Sequence, residues 1–141
     1  MMVTAPYGGE GRRAQRRFPG EPGQVKAVRQ WLAGVLPPGC PVLDEAILLA
    51  NELAVNACQH TASGKSGGSF QIIVQVDDTA IRVEVTDQGS AIAPRLQDSD
   101  LEEESGRGLQ LVDGLATQWG VTGDHTSRTI WFELVLGERE F

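Results

Sequence analysis

Glu52, Asn56 and His60 stand four residues apart in the run Asn51-Glu52-Leu53-Ala54-Val55-Asn56-Ala57-Cys58-Gln59-His60. On a helix that spacing lays an acid, an amide and an imidazole along one polar stripe. A solvated helix flank would account for such a stripe taken alone. The neighbours Leu53, Ala54, Val55 and Ala57 argue instead that it lines a cleft in a largely apolar helix. Asp87 follows directly on an alternating strand pattern, and Gly89 comes two residues later. A carboxylate at the end of a buried strand needs a donor. A turn supplies one from the backbone, and a nucleotide base with an exocyclic amine would supply one equally well, with Gly89 letting the main chain come close. Ser105-Gly106-Arg107-Gly108-Leu109 then opens a helical pattern. Its free N–H groups and dipole make an anion site, and the two glycines remove side chains that would block a polyphosphate. A plain helix start needs only Ser105 as cap and leaves paired glycines in the first turn as an unexplained cost.

These residues must be held by a small set of elements. Residues 1–11 are polar and glycine-containing and read as a loose tail, leaving 12–141 as one domain. Arg12, Arg13, Arg16 and Arg17 before Phe18-Pro19-Gly20 read as a short edge strand kept soluble by its charges; a basic docking patch is the other reading. Val25, Val28, Trp31, Leu32, Val35 and Leu36 recur at three and four residues, predicting a helix from Gln24 to Leu36 that Pro37-Pro38-Gly39 ends. A second helix is predicted from about Pro41 to His60, with Asp44 and Glu45 in its first turn and Leu43, Ile47, Ala50, Ala54 and Ala57 as its core stripe. Phe70 to Val76 and Ile81 to Val85 alternate about an Asp77-Asp78 turn and predict a hairpin. An acidic loop from Gln88 to Ser105 leads to a third helix with Leu109, Val112 and Leu115 inward. Two strands close the chain, around Trp119 to Val121 and Ile130 to Leu136. The order β-α-α-β-β-α-β-β predicts an α+β two-layer sandwich, a mixed and mainly antiparallel sheet with helices on one face.

Composition narrows the chemistry. The 141 residues suit one domain, and 19 acidic against 12 basic side chains give a net charge of −7, which disfavours nucleic acid as the main ligand. With two cysteines, a disulfide framework is not expected. The sequence carries no signal-peptide core and no membrane-length apolar run, so a cytoplasmic protein is expected. Gly64-Lys65-Ser66 is not a P-loop, because Gln59 occupies its first glycine position and a helix precedes it. Gly106-Arg107-Gly108 is not a dinucleotide fingerprint, because Leu111 stands at the third glycine and a loop precedes it. Cys58 and His60 diverge on a helix and do not suggest a metal pair, and Asp124-His125 reads as a polar turn.

The order of the three signals is more specific than any one of them. With Val85-Thr86-Asp87-Gln88-Gly89 and Glu104-Ser105-Gly106-Arg107-Gly108-Leu109-Gln110-Leu111-Val112-Asp113 added to Asn51–His60, and with Phe18-Pro19-Gly20 and Thr129-Ile130-Trp131-Phe132 also fitting, the chain resembles the ATPase superfamily of gyrase, heat-shock chaperone, histidine kinase and mismatch-repair proteins, with its Bergerat ATP-binding fold. It looks most like the small stand-alone anti-sigma factor serine/threonine kinases. The resemblance implies ATP and Mg²⁺ as cofactors. It implies Asn56 as the Mg²⁺ ligand, Glu52 as catalytic base toward the attacking hydroxyl, and Asp87 as acceptor from the adenine amine with Thr129 supporting it through water. Gly89 would shape the loop at the base. Gly106, Gly108 and Leu109 would form the phosphate-binding helix start, with Arg107 as a charge partner. One departure is that the family's Asp-x-Gly-x-Gly box ends here in Ala91, which has less backbone freedom than glycine. Asp98, Asp100, Glu102, Glu103 and Glu104 fall where an ATP lid would lie and should point away from a triphosphate.

The resemblance implies a kinase that phosphorylates a serine of a STAS-type anti-anti-sigma protein and sequesters a sigma factor; dimers are common among such relatives. At this length a complete sensor histidine kinase is not expected. The alternatives are a non-catalytic module whose partner binding is set by nucleotide, and a simple ATPase using the same residues.

Overall fold

The computed structural model describes residues 12–60, 67–88 and 104–136, and for residues 22, 59, 60 and 104–108 the backbone alone. Along the chain run β1 (Arg12–Pro19), a single 3-10 turn (Pro22–Gln24), α1 (Val25–Val35), α2 (Leu43–His60), β2 (Ser69–Val76), β3 (Ala80–Asp87), α3 (Glu104–Leu115), β4 (Gln118–Gly123) and β5 (Arg128–Val135). The strands form one sheet in the order β1-β2-β3-β5-β4. Every ladder among the described strands is antiparallel, so the parallel component of a mixed sheet is not found there. β1 is an edge strand, as its arginines suggested.

Alternation decides which face is which. Phe70, Ile72, Val74 and Val76 of β2 are buried, as are Ile81, Val83 and Val85 of β3 and Ile130, Phe132 and Leu134 of β5; their odd-numbered or even-numbered neighbours look outward. The helices cover this inner face. Phe18 is fully buried, stacks on Phe70 at 5.6 Å between centroids and meets the edge of Trp31 of α1 at 5.8 Å. The outer face is polar. Arg82 pairs with Glu84 at 2.9 Å and Glu133 at 3.1 Å and lies 4.0 Å over the ring of Trp131. Trp131 lies in turn on Gly120, where a Cβ would come within 2.9 Å of its Nε1.

The central helix α2 packs on α1, α3 and β3 together. Three neighbours require a wide apolar surface, and Ala46, Leu49, Ala50, Leu53, Ala54 and Ala57 are all buried. Four of these are alanines, which let the helix approach the sheet closely. Leu43 and Ile47, expected in the core stripe, sit half-buried at its margin instead. On α3, Leu109 and Val112 face inward as expected, but Leu115 is 45% exposed. Ala116, one residue further on, takes the inward place where the chain leaves the helix for β4.

The β2–β3 turn is closed by Asp77, whose Oδ1 accepts from the Thr79 N–H at 2.8 Å, the Thr79 hydroxyl at 2.9 Å and the Ala80 N–H at 3.0 Å. The Thr79 N–H above all, opposed by slight burial and aided by the other two donors, holds this carboxyl below the ordinary carboxylate range. A folded value lower than the unfolded one gives stability that is complete above the unfolded value and is lost as pH falls through the folded one. Asp77→Asn should therefore destabilise at neutral pH, by no more than about 1 kcal/mol at this exposed turn. In urea unfolding across a pH series, the gap between wild type and variant should close as pH drops below the carboxylate range. A gap that widened in acid would contradict the account.

Candidate functional site

The candidate residues come from three elements whose packing makes them neighbours: α2 touches both β3 and α3. On α2, Glu52 is half-buried and Asn56, one turn later, is 7% exposed. The helix dictates that both lie along one side of its axis. With Asp87 and Arg128, Asn56 makes up the buried polar and charged side chains among the described residues. A buried amide must be hydrogen-bonded or bound to a ligand, and its oxygen is a hard donor of the type Mg²⁺ accepts. His60 ends the helix with its side chain outside the described residues.

Asp87 is the last residue of β3. The alternation that buries Ile81, Val83 and Val85 turns its carboxylate to the same helix-covered face, where it is 3% exposed. Directly across the ladder stands Arg128, the first residue of β5, 5% exposed, with its Nε 3.7 Å from Asp87 Oδ1. Gln88, next along, turns away to accept from the Ser69 N–H at 2.9 Å.

On α3 the first turn contains Ser105, Gly106, Arg107 and Gly108 as helical backbone. This is the element the glycine-bearing segment was expected to open. Leu109 is buried at 3% exposure and ties that turn to the core. The Arg107 side chain lies outside the described residues, as do Gly89, Ala91 and the acidic stretch Asp98, Asp100, Glu102 and Glu103; the side chain of Glu104 does too.

Thr129 is not brought beside the Asp87 side chain. It follows Arg128, so pleating sends its side chain to the outer face, where its hydroxyl lies 2.7 Å from that of Thr86. The sheet itself separates its side chain from that of Asp87. Arg128 was the residue missed. It shares the parity of Ile130, Phe132 and Leu134, a signal that period-2 counting from the core residues would have read.

Among the described residues no three His, Cys, Asp or Glu side chains gather to hold a metal, so an ion here would have few protein ligands and would lean on Asn56 and on phosphate oxygens. Cys40 and Cys58 are free thiols, and burial, with the Glu21 charge adding to it, pushes the half-buried Cys58 thiol up, away from reactive thiolate.

A family model, the histidine kinase-like ATPase domain, matches residues 18–133. The chain belongs to this family. The match takes in only Phe18 and Pro19 of β1, stops two residues before the end of β5 and spans every element between, and it fits the antiparallel sheet with helices on one side. It makes the chain an ATP-binding regulatory protein of ATP-utilising type. No curated protein matches the sequence. Among the described residues no helix is long and apolar enough to cross a membrane.

The outer-face position of Thr129 has a measurable consequence. Thr129→Val should lower stability by about 1 kcal/mol through loss of the bond to Thr86, while ATP affinity stays unchanged in a calorimetric titration. A clear loss of affinity in a fully folded variant would put Thr129 back in the pocket.

Proposed function

We propose that this histidine kinase-like ATPase domain is an anti-sigma factor serine/threonine kinase. It would bind ATP with Mg²⁺, phosphorylate a serine on a STAS-type anti-anti-sigma protein, and sequester a sigma factor. The observation that carries the reading is the pairing on α2 of a buried amide, Asn56, with a half-buried acid one turn before it, Glu52. An acid beside a metal-holding amide is what removal of a hydroxyl proton during phosphoryl transfer requires.

The roles follow from position. Asp87 accepts from the base amine, and the first turn of α3, anchored by Leu109, presents backbone N–H groups to phosphates across Gly106 and Gly108, with Arg107 adjacent. Asn56 would hold the ion through its side-chain oxygen. Bound ATP with its Mg²⁺ supplies the phosphoryl group and neutralises charge on it. Glu52 takes the proton of the serine hydroxyl as that oxygen bonds to the γ-phosphorus, and ADP carries away the electrons of the broken bond.

Incubation with γ-labelled ATP, Mg²⁺ and candidate STAS-type proteins tests the proposal, with label expected on a partner serine. Label released only as phosphate would make the chain a simple ATPase, and no turnover would make it a binding module; either result overturns the kinase reading. Glu52→Ala should leave ATP binding nearly intact while transfer falls by about 10²-fold or more. Transfer at the wild-type rate would remove the assigned base. Asp87→Asn replaces an acceptor-only group by one that also donates, and ATP affinity should fall by about tenfold or more. Unchanged affinity in a calorimetric titration would refute Asp87 as the base reader.

A further inference from the structure

The arginines of β1 have no part in the proposed function. Four of the chain's 12 basic side chains, Arg12, Arg13, Arg16 and Arg17, fall in this strand of 8 residues, which contains no acid. Among the described residues β1 pairs only with β2, so its other edge presents backbone N–H and C=O groups that no described strand takes up. Register places Arg13 and Arg17 opposite Gln75 and Gln71 on the outer face, and Arg12 and Arg16 opposite the buried Val76 and Ile72 on the inner one. The contacts these side chains make are with neutral groups. Arg12 Nη2 donates to the Val35 carbonyl at 3.3 Å, Arg17 Nη1 donates to the Ser69 hydroxyl at 3.0 Å, and the Arg16 guanidinium lies 4.8 Å from the centre of the Phe18 ring. Among the described residues the ion pairs are made by Arg82 and Arg128, and no carboxylate comes within ion-pair distance of the four.

We propose that the outer edge of β1 is a docking site for an acidic, extended segment of a partner protein, which adds to the sheet as a further strand. The inference goes beyond phosphoryl transfer and does not depend on it. In a chain with 19 acidic residues, four cations without counter-charge repel one another along one short strand, and incoming carboxylates relieve that repulsion. The carbonyl, hydroxyl and ring hold three of the guanidiniums in place and leave their charge uncancelled. Charges on an edge guard it against neutral strands, and here the same charges select an acidic one. Residues directly opposite on neighbouring strands share a face. The partner should therefore carry two adjacent acids, then two neutral residues, then two more acids, and this spacing is the same whichever way the added strand runs. A second copy pairing through its own β1 would gather the arginines of both copies at one seam, and like charges across a seam are destabilising. Nucleic acid would meet a chain of net charge −7.

Fluorescence anisotropy of the full chain with a short labelled peptide built around Glu-Glu-Val-Thr-Glu-Glu tests this, against the same peptide with glutamine for each glutamate. The glutamate peptide should bind about tenfold tighter, the combined effect of several opposite-charge pairs across a ladder, and added salt should narrow the difference. The double variant Arg13→Gln, Arg17→Gln should lose about threefold in affinity for the glutamate peptide, since two of those pairs are gone. Its circular dichroism and ATP affinity should match the wild type, because β2 lies between β1 and β3. Amide hydrogen exchange on the wild type reads where the peptide sits and needs no variant. Exchange should slow in β1 when the glutamate peptide binds and stay unchanged in β4, the opposite edge of the sheet. Equal binding of the two peptides, or protection that misses β1 or falls equally on β4, overturns the inference. So does protection of β1 that rises with protein concentration in the absence of peptide, which would assign the edge to a second copy. A single-stranded oligonucleotide that displaces the peptide at lower concentration than unlabelled peptide does would assign it to nucleic acid and overturn it too. Failure of label transfer from ATP would overturn the kinase reading and leave these outcomes untouched.

Discussion

A carboxylate taken out of water must be answered by donors or by opposite charge, and in this fold Asp87 is 3% exposed at the end of a central strand. That requirement organises what surrounds it. The strand beside it begins with a buried cation in register, and the face on which both lie is the face the helices cover. A charge pair in that place is weak evidence for stability, because desolvation offsets much of its attraction. Its value is directional: it fixes the carboxylate on the helix-covered face of the sheet.

The same layer explains why α2 carries the other polar group. A helix that touches α1, α3 and β3 has little surface left for water, and its alanines bring its axis near the sheet. Asn56 is buried by that closeness rather than by its own chemistry. An acid one turn away, Glu52, is half-buried. The polar outer face contributes differently. There Arg82, Glu84, Glu133 and Trp131 knit the strands together in partial contact with water, where ion pairs are worth little individually but keep an open sheet face soluble. Asp87 and Arg128 lie buried on the opposite side of the sheet from this network.

Much of this was legible in the residues alone. Element order, the edge position of β1, the hairpin about Asp77 and the glycine-bearing start of α3 follow from periods of 3.6 and 2 and from turn chemistry, which are local properties. Local rules were weaker where an element meets several partners. Leu43 and Ile47 seemed central to α2 because a single stripe was drawn for a helix that packs on three sides, and Leu115 seemed inward until the exit of the chain toward β4 gave that place to Ala116.

The division is sharpest at Arg128 and Thr129. The sequence by itself determined that an acid ends one strand, that an acid and an amide share one side of a helix, and that glycines open another helix, because spacing along a regular element fixes direction relative to that element. Only the tertiary structure decided which strand lies beside Asp87 and in what register. Pairing β3 with β5, strands separated by a helix and a third strand, puts Arg128 against the carboxylate and sends Thr129 through to the far face. A shift of one residue in that register would exchange the two, and register is set by the burial of whole faces rather than by any local signal.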